Sequence, residues 1–593
     1  MRLRVLWMAL ACAMPLAVSA QQGDGTRERV QISVVKPDKV EATDARIARL
    51  KVPGGFAVAP FATDLKNVRV IVVAPDGTIY ASRRDQGDVI MLRDANGDGR
   101  ADAPPQVVLA RAGAHGLAIH DNKLYLATVK EVFVADIRSD GTLGEARMII
   151  GDLPDGGQHP NRTLAFGPDG MLYISVGSTC NTCNETHQES ATMLRGSADG
   201  KSRGIFASGL RNTIGFDWHP QTGELWGMDH GIDFLGDNQQ PEELNLLQHG
   251  KLYGWPHVYG RGDIHPQTTP PGELSKQQWK QMSVPMTLGY TAHAAPMQML
   301  FYRGGQFPAE YRGDAFVTMR GSWNRDKPSG YEVVRIRYRD GKPQAIEPFL
   351  TGFLTDGGRT HFARPVGLAI MPDGALLVGD DANGVIYRVS ATRPSNDAER
   401  LGPPPATEMT TQTSKGIGVP LAAARPETQA RGTIGLQSAS FAANAPIPLR
   451  HSEYADGVSP RLQWQAVEGA QSYALIMEDP DAKPITPFVH WVIWNIPPNV
   501  HTLPEGLQEQ HRLTEPEGAL QGRASNGRVG YYGPRPPVSD PPHHYHFQIL
   551  ALDRMLDLPP GATRDEVLAA AKGHVLAKGT LVGTFRQTQQ PLK

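Results

Sequence analysis

Between Gly157 and Gly260, this 593-residue chain gathers side chains that can move protons and hold anions. Gln158-His159-Pro160-Asn161-Arg162 leads into an apolar strand. Gly209-Leu210-Arg211-Asn212 and Asp229-His230-Gly231-Ile232 follow, and the stretch closes on Tyr253-Gly254-Trp255-Pro256. Imidazole titrates near neutrality, which suits proton transfer, and guanidinium pairs bidentately with carboxylate or phosphate. Each group stands beside a turn at a strand boundary, where a β scaffold displays reactive residues on loops. His115 and Arg364 occupy the same kind of position, ahead of Gly116-Leu117-Ala118-Ile119 and Pro365-Val366-Gly367. Cys180 and Cys183 lie three residues apart, a spacing that in an oxidising compartment favours a structural disulfide. Asn184 after the second cysteine excludes c-type haem attachment.

The elements that must position these groups are short strands. A turn followed by an alternating strand recurs six times. It appears as Ala74-Pro75-Asp76-Gly77, His120-Asp121-Asn122, Gly167-Pro168-Asp169-Gly170, His219-Pro220-Gln221-Thr222-Gly223, Tyr311-Arg312-Gly313-Asp314 and Met371-Pro372-Asp373-Gly374. Most copies are separated by about 45 to 60 residues, with one longer gap between Pro220 and Gly313, and a period of that size built from β turns is what propeller blades give. The expectation is an all-β chain: a six-bladed β-propeller over residues 50–390, a Pro/Thr/Ala-rich linker over 391–434, and a second β-rich domain over 435–593. In that last segment Arg461-Leu462-Gln463-Trp464, Ser472 to Met477, Val489 to Trp494 and Tyr545 to Leu552 read as strands, and Thr563 to Ala571 as a capped helix. Asp94 to Asp102 starts as a calcium loop does, but Pro105 stands where the bidentate glutamate belongs, so it reads as a turn.

Lys+Arg 59 against Asp+Glu 61 leaves a formal charge of −2, which gives no electrostatic case for nucleic acid or a membrane surface. Arg2 and Arg4, the apolar run Val5 to Val18 and Val18-Ser19-Ala20 read as a signal peptide, residues 1–20, cleaved after Ala20 before an N-terminal extension over 21–49. The expected location is periplasmic or secreted, without a transmembrane segment.

His115-Gly116-Leu117, His159 with Arg162, Phe166 to Gly170, Gly209 to Asn212, Glu242 to Leu246 and Gly250 to Pro256 resemble the soluble pyrroloquinoline-quinone-dependent glucose/sorbosone dehydrogenases across residues 50–390. The resemblance implies oxidation of an aldose or sorbosone-like sugar, with pyrroloquinoline quinone and calcium as cofactors. It implies that His159 is the general base, with a pKa near neutrality, and that Arg211 and Asn212 contact the quinone oxygens. Arg320 and Arg364 would clamp the carboxylates, His115 and Arg162 would lie on the substrate side, and the carbonyls of Gly231 and Ile232 would hold calcium. Electrons would leave to an external cytochrome or quinone. Ser178 stands where glucose-oxidising members orient the base with a carboxylate.

Met477-Glu478-Asp479-Pro480-Asp481-Ala482, His490-Trp491-Val492, Gly530 to Pro537 and His543 to Phe547 resemble the phosphatidylethanolamine-binding protein family, in its Raf-kinase-inhibitor-like branch. That implies a pocket for a small anionic or phospho-ligand, formed by Asp479, His490, Gly533, Pro534, His543 and Tyr545. The alternative is a non-redox propeller, either a lactonase-type hydrolase or a binding scaffold that presents the second domain. The hydrolase wants a carboxylate-rich centre around a metal.

Overall fold

The computed structural model describes residues 32–271, 274–393, 400–406, 420–482, 487–536, 540 and 542–587. The expected signal peptide and its cleavage point lie outside them. Strands dominate, and the described α-helices are Asp44–Ile47, Lys276–Met282 and Arg564–Ala571.

Six sheets, antiparallel but for one parallel pair in the third, follow one another from residue 56 to 391. Their first two strands are Val68–Val73 and Ile79–Arg83, Gly116–His120 and Lys123–Ala127, Thr163–Phe166 and Leu172–Val176, Gly215–Trp218 and Leu225–Asp229, Pro296–Phe301 and Ala315–Met319, and Pro365–Ile370 and Leu376–Asp380. The repeated turn is in every case the connection between those two strands. Its chemistry is local: Asp76, Asp169 and Asp373 each accept a hydrogen bond from the amide two residues on, at 2.9, 3.1 and 3.0 Å, and Gly77, Gly170 and Gly374 adopt positive φ. In the sixth sheet, Phe56–Ala62 pairs with Ile386–Ala391, so the two ends of this domain share one sheet.

Neighbouring sheets pack face to face. Ile71, Ile79 and Ile90 of the first share an apolar cluster with Ala369, Leu377 and Ile386 of the sixth, and Tyr173 and Phe206 of the third meet Phe216 and Trp218 of the fourth. Burial of such faces between sheets is the main stabilising term, at roughly 25 cal/mol per Å². Main chain approaches main chain where first strands meet. A Cβ on Gly116 would fall 2.5 Å from the Arg162 carbonyl oxygen, one on Gly215 2.0 Å from that of Met297, and one on Gly367 2.7 Å from that of Arg69.

The second domain is a six-stranded sheet in the order Gly432–Thr433, Val575–Phe585, His543–Leu552, Ser472–Asp479, Phe488–Ile496 and Leu520–Gln521. Strand alternation sorts its faces. Tyr473, Leu475, Met477, Trp491 and Ile493 pack with Leu436, Leu462, Trp464 and Leu503 of a three-stranded sheet, whereas Ala474, Ile476, Val492 and Trp494 pack with Val567, Leu568 and Ala571 of the helix. Both faces are covered, which is why Val489 to Trp494 reads as a continuous apolar run. Thr563 caps the helix through a reciprocal pair with Glu566.

The expected linker ends earlier than its composition indicates. Ala422 and Thr428 are fully buried, the Ala422 amide donates to Glu478 at 2.7 Å, and Gly432–Thr433 joins the large sheet, so the segment from Leu421 is part of the second domain. Glu478 also receives Arg564 at 2.6 Å and Gln548 at 2.6 Å, tying tail, helix and sheet to one buried carboxylate.

Gly215→Ala should lower stability by at least ~1–3 kcal/mol, because the new methyl has main chain against it on the neighbouring sheet. Gly54→Ala, with nothing within 4 Å of its Cβ, should change little. Denaturant unfolding of the two variants checks the contrast.

Candidate functional site

In an antiparallel pair, the start of the first strand and the end of the second lie at the same end. His115, His159 with Arg162, Arg211 with Asn212, and Arg364 precede first strands, while Ser178, Asp229 with His230, Arg320, and Asp380 with Asp381 end or follow second strands. The structure therefore displays these groups on loops at the same end of their sheets, and hydrogen bonds join one sheet's loops to the next.

His159 is half-buried. Its Nδ1 lies 2.9 Å from the Ser178 carbonyl oxygen and 2.8 Å from Ser178 Oγ. A carbonyl only accepts, so Nδ1 carries the hydrogen and Nε2 presents a lone pair. Ser178 Oγ passes its own hydrogen to the Cys180 carbonyl at 2.7 Å. Burial, then the charges of Arg211 and His230, push the imidazole down to about 3. This departs from the expected near-neutral base: the only support for the imidazolium is the hydrogen bond to the uncharged Ser178 carbonyl, which burial outweighs. Arg211 donates to the Asn181 carbonyl at 3.0 Å, to Asn181 Oδ1 at 2.8 Å and to Asp233 at 3.2 Å. Asp229 accepts from the amides of Arg211 and Asn212 and from Thr213 Oγ1, each at 2.8 Å, and Asn212 Oδ1 is buried without a partner. A Cβ on Gly177 would lie 2.6 Å from His159 Cβ and 2.7 Å from Asn212 Oδ1, so glycine keeps this cradle open.

Arg320 Nε donates to Asp381 at 2.7 Å, and Arg69 pairs with the same carboxylate. Arg364 donates to the carbonyls of Arg320 at 3.2 Å and Gly321 at 2.6 Å, with its guanidinium over the Tyr331 ring. Asp380 is turned to backbone, accepting from the amides of Arg364, Ala382 and Asn383, and burial raises it to about 7. Two guanidinium groups, those of Arg69 and Arg320, thus share Asp381, and among the described residues Arg69 Nε is buried without a partner. His115 is buried, donating through Nδ1 to the Arg162 carbonyl at 2.9 Å, with Arg69 3.4 Å from Nε2. Arg162 is fully buried and donates to the carbonyls of Val129, Pro154, Asp155 and His159, which makes it a brace of the His159 loop. The Gly231 amide donates to Glu242 at 2.8 Å and that of Ile232 to Gln240 at 3.3 Å, which fixes this segment's main chain. Cys180 and Cys183 form the expected disulfide.

Arg69 and Asp381 escape sequence reasoning, because each acts through a partner on another sheet. Asp94 to Asp102 folds as a turn whose side chains accept from its own amides: Asp94 from Gly99 at 2.9 Å and Asn96 from Asp98 at 2.8 Å.

In the second domain, Asp479, His490, His543 and Tyr545 line one cavity of about 70 Å³. His543 Nδ1 donates to Asp479 at 2.7 Å, with Asp540 3.4 Å from Nε2. Burial opposes its charge, but Asp479 and then Asp540 outweigh burial and raise the imidazole to about 9. His490 donates through Nδ1 to the Tyr532 carbonyl at 2.8 Å, and burial lowers it to about 4. The Gly533 amide donates to Glu453 at 2.9 Å, so it is engaged within the domain, and the Pro534 carbonyl accepts from the Glu453 amide at 3.1 Å.

A family model described as TrAA12-like matches residues 50–392, and one described as phosphatidylethanolamine-binding protein matches residues 437–586. An uncharacterized protein of Borreliella burgdorferi is 29% identical over 365 residues, 59% of this chain and 92% of its own. A UPF0098 protein of Methanothermobacter thermautotrophicus is 43% identical over 155 residues, 26% of this chain and 99% of its own. A structure of the Trichoderma reesei carbohydrate-active enzyme of family AA12, with iodide, superposes with a TM-score of 0.51 at 19% identity, covering 62% of this chain and 100% of that one, a likeness of fold.

His543 carries a pH test. Its folded pKa of about 9 lies above its ordinary 6.5, so the stability it contributes is complete below pH 6.5 and is lost as pH rises through 9. The second domain's unfolding transition should weaken between those values. His543→Gln, which leaves Asp479 buried without its charged partner, should cost ~3 kcal/mol or more at pH 6 and less at pH 9.5. Urea unfolding across this range measures both.

Proposed function

Because the chain belongs to the TrAA12-like family over residues 50–392 and carries a phosphatidylethanolamine-binding protein domain over 437–586, we propose that it is a pyrroloquinoline-quinone- and calcium-dependent dehydrogenase of aldose or sorbosone-like sugars. In this reading the six sheets close into a six-bladed propeller, sealed by Phe56–Ala62, with the reactive loops at one end of its axis. The observation that carries the proposal is the surplus of guanidinium over free carboxylate: Arg69 and Arg320 share Asp381 and Arg364 donates to main-chain carbonyls, while Asp229, Asp380 and Glu242 are turned to backbone amides. Such a centre suits a tricarboxylate and lacks the open carboxylates that a metal-dependent lactonase needs.

When bound, pyrroloquinoline quinone supplies the two-electron acceptor for hydride. Arg320, Arg364 and Arg69 would hold its carboxylates, Arg211 and Asn212 would face its oxygens, and the carbonyls of Gly231 and Ile232 would hold calcium, whose Lewis acidity polarises a carbonyl. His159 accepts the proton of the sugar's anomeric hydroxyl at Nε2, the lone pair left free by the Ser178 contact. Ser178 fixes the ring, and a low pKa keeps the base neutral and ready at ordinary pH. His115 and Arg162 act behind the reacting face, keeping the His159 loop in register. Electrons then pass to an external cytochrome or quinone. The second domain binds a small anionic or phospho-ligand, and the chain is exported to the periplasm or medium after cleavage at Ala20; the Cys180–Cys183 disulfide fits that compartment. Among the described residues no helix is long and apolar enough to cross a membrane.

Purified protein incubated with quinone and calcium should take up the quinone, seen in its absorbance, and reduce a dye with aldoses. His159→Ala should keep uptake and lose ~10²–10⁴ in kcat; Arg320→Ala should weaken uptake. Absence of quinone uptake by the unaltered chain overturns the proposal.

A further inference from the structure

The cavity around His543 is not walled by its own domain alone. Asp152, Glu189, Arg203 and Ile205 of the first domain line it opposite Asp479, His490, His543 and Tyr545. Arg203 is buried and pinned there, with Nε and Nη2 on Glu189 at 2.8 Å each and Nη1 on Asp152. The domains are joined at the rim. Arg535 of the second domain donates to the Lys201 carbonyl at 2.9 and 2.6 Å and to that of Gly200 at 3.3 Å, Tyr454 Oη lies 2.7 Å from Ser202 Oγ, and His187 Nε2 lies 3.1 Å from the Asn526 carbonyl.

Inside the cavity the carboxylates are engaged: Asp479 with His543 and the amides of Asp481 and Ala482, Asp540 with His543 at 3.4 Å, Glu189 and Asp152 with Arg203. What faces the space unengaged is chiefly a donor. Tyr545 is fully buried and among the described residues its hydroxyl has no partner, an arrangement that costs about 1–3 kcal/mol unless something accepts from it. His490, with Nδ1 committed to Tyr532, presents a lone pair that could take a P–OH or carboxylic hydrogen. The volume, about 70 Å³, fits a group of a few heavy atoms.

We propose that this cavity is a two-domain site for a small oxyanion, in which Arg203 of the first domain forms one wall, so that ligand binding and docking of the two domains are a single linked equilibrium. It rests on the reading of the second domain as an anion binder and adds its regulation by the first. A ligand that binds only the docked form stabilises that form by mass action. The occupant draws the first domain's Gly200–Ser202 turn and the second domain's Arg535 loop together, which ties the dehydrogenase half to the state of the pocket.

Hydrogen exchange on the full chain, with and without inorganic phosphate, tests this. Phosphate should slow exchange several-fold in first-domain segments 187–189 and 200–205 as well as around 532–535 and 543–545. Calorimetry with Arg203→Gln should show about tenfold weaker phosphate binding, the loss of one charged hydrogen-bonding wall. Protection confined to the second domain, together with unchanged affinity in Arg203→Gln, overturns the two-domain site and leaves the anion pocket standing. No binding of phosphate or of phosphoethanolamine overturns both. Phosphoethanolamine binding more tightly than phosphate, with the same two-domain protection, supports the proposal and identifies a lipid headgroup as the source; equal affinity supports it with free oxyanion as the ligand.

Discussion

Where the first strands of neighbouring sheets meet, backbone lies on backbone. Gly116 against Arg162, Gly215 against Met297 and Gly367 against Arg69 leave no room for a methyl, and this closeness determines what can happen at the ends of those strands. Loops that leave sheets packed so tightly come within hydrogen-bonding distance of one another. Arg69 therefore reaches Asp381 across 312 residues of chain, and His115 reaches the Arg162 carbonyl. A looser packing, with side chains between the strands, would set these groups apart and leave each arginine an ordinary surface cation. The stiffness that such contacts give is also what a site needs if its donors are to wait in place for charge.

The same end of the sheets separates its acids from its bases by a simple device. Asp229, Asp380 and Glu242 are held by backbone amides and lifted by burial, so they act as internal caps for the loops that carry the arginines. Arg69 and Arg320 are left to share Asp381, and Arg364 turns to main-chain carbonyls. Positive character thus comes from how the acids are spent, with the chain as a whole nearly neutral at −2.

Much of this was legible in the sequence. The Pro-Asp-Gly turns work through contacts two residues apart, and for that reason they announce the hairpins, their number and the strand that follows each one. His159, Arg211, Asn212 and Arg364 were legible because their types and their place ahead of a strand both point to loops. Arg69 and Asp381 were not, since neither means anything until the first and sixth sheets meet. The pKa of His159 was misjudged for a related reason: residue type promises a neutral-range imidazole, but burial, with the charge of Arg211 beside it, lowers it. Composition misplaced the linker's end, because Ala422, bonded to Glu478, and Thr428 are small residues whose burial leaves no hydrophobic pattern to see. The shared cavity was beyond reach, as it exists only through the placement of one domain on the other.

Arg535 grips the first domain by the main-chain oxygen of Lys201, a group that every amino acid possesses. The side chain at position 201 is consequently free to drift without loosening the hold. Relatives that share this joint could differ there in every residue, and the record of the contact would survive only on the arginine's side.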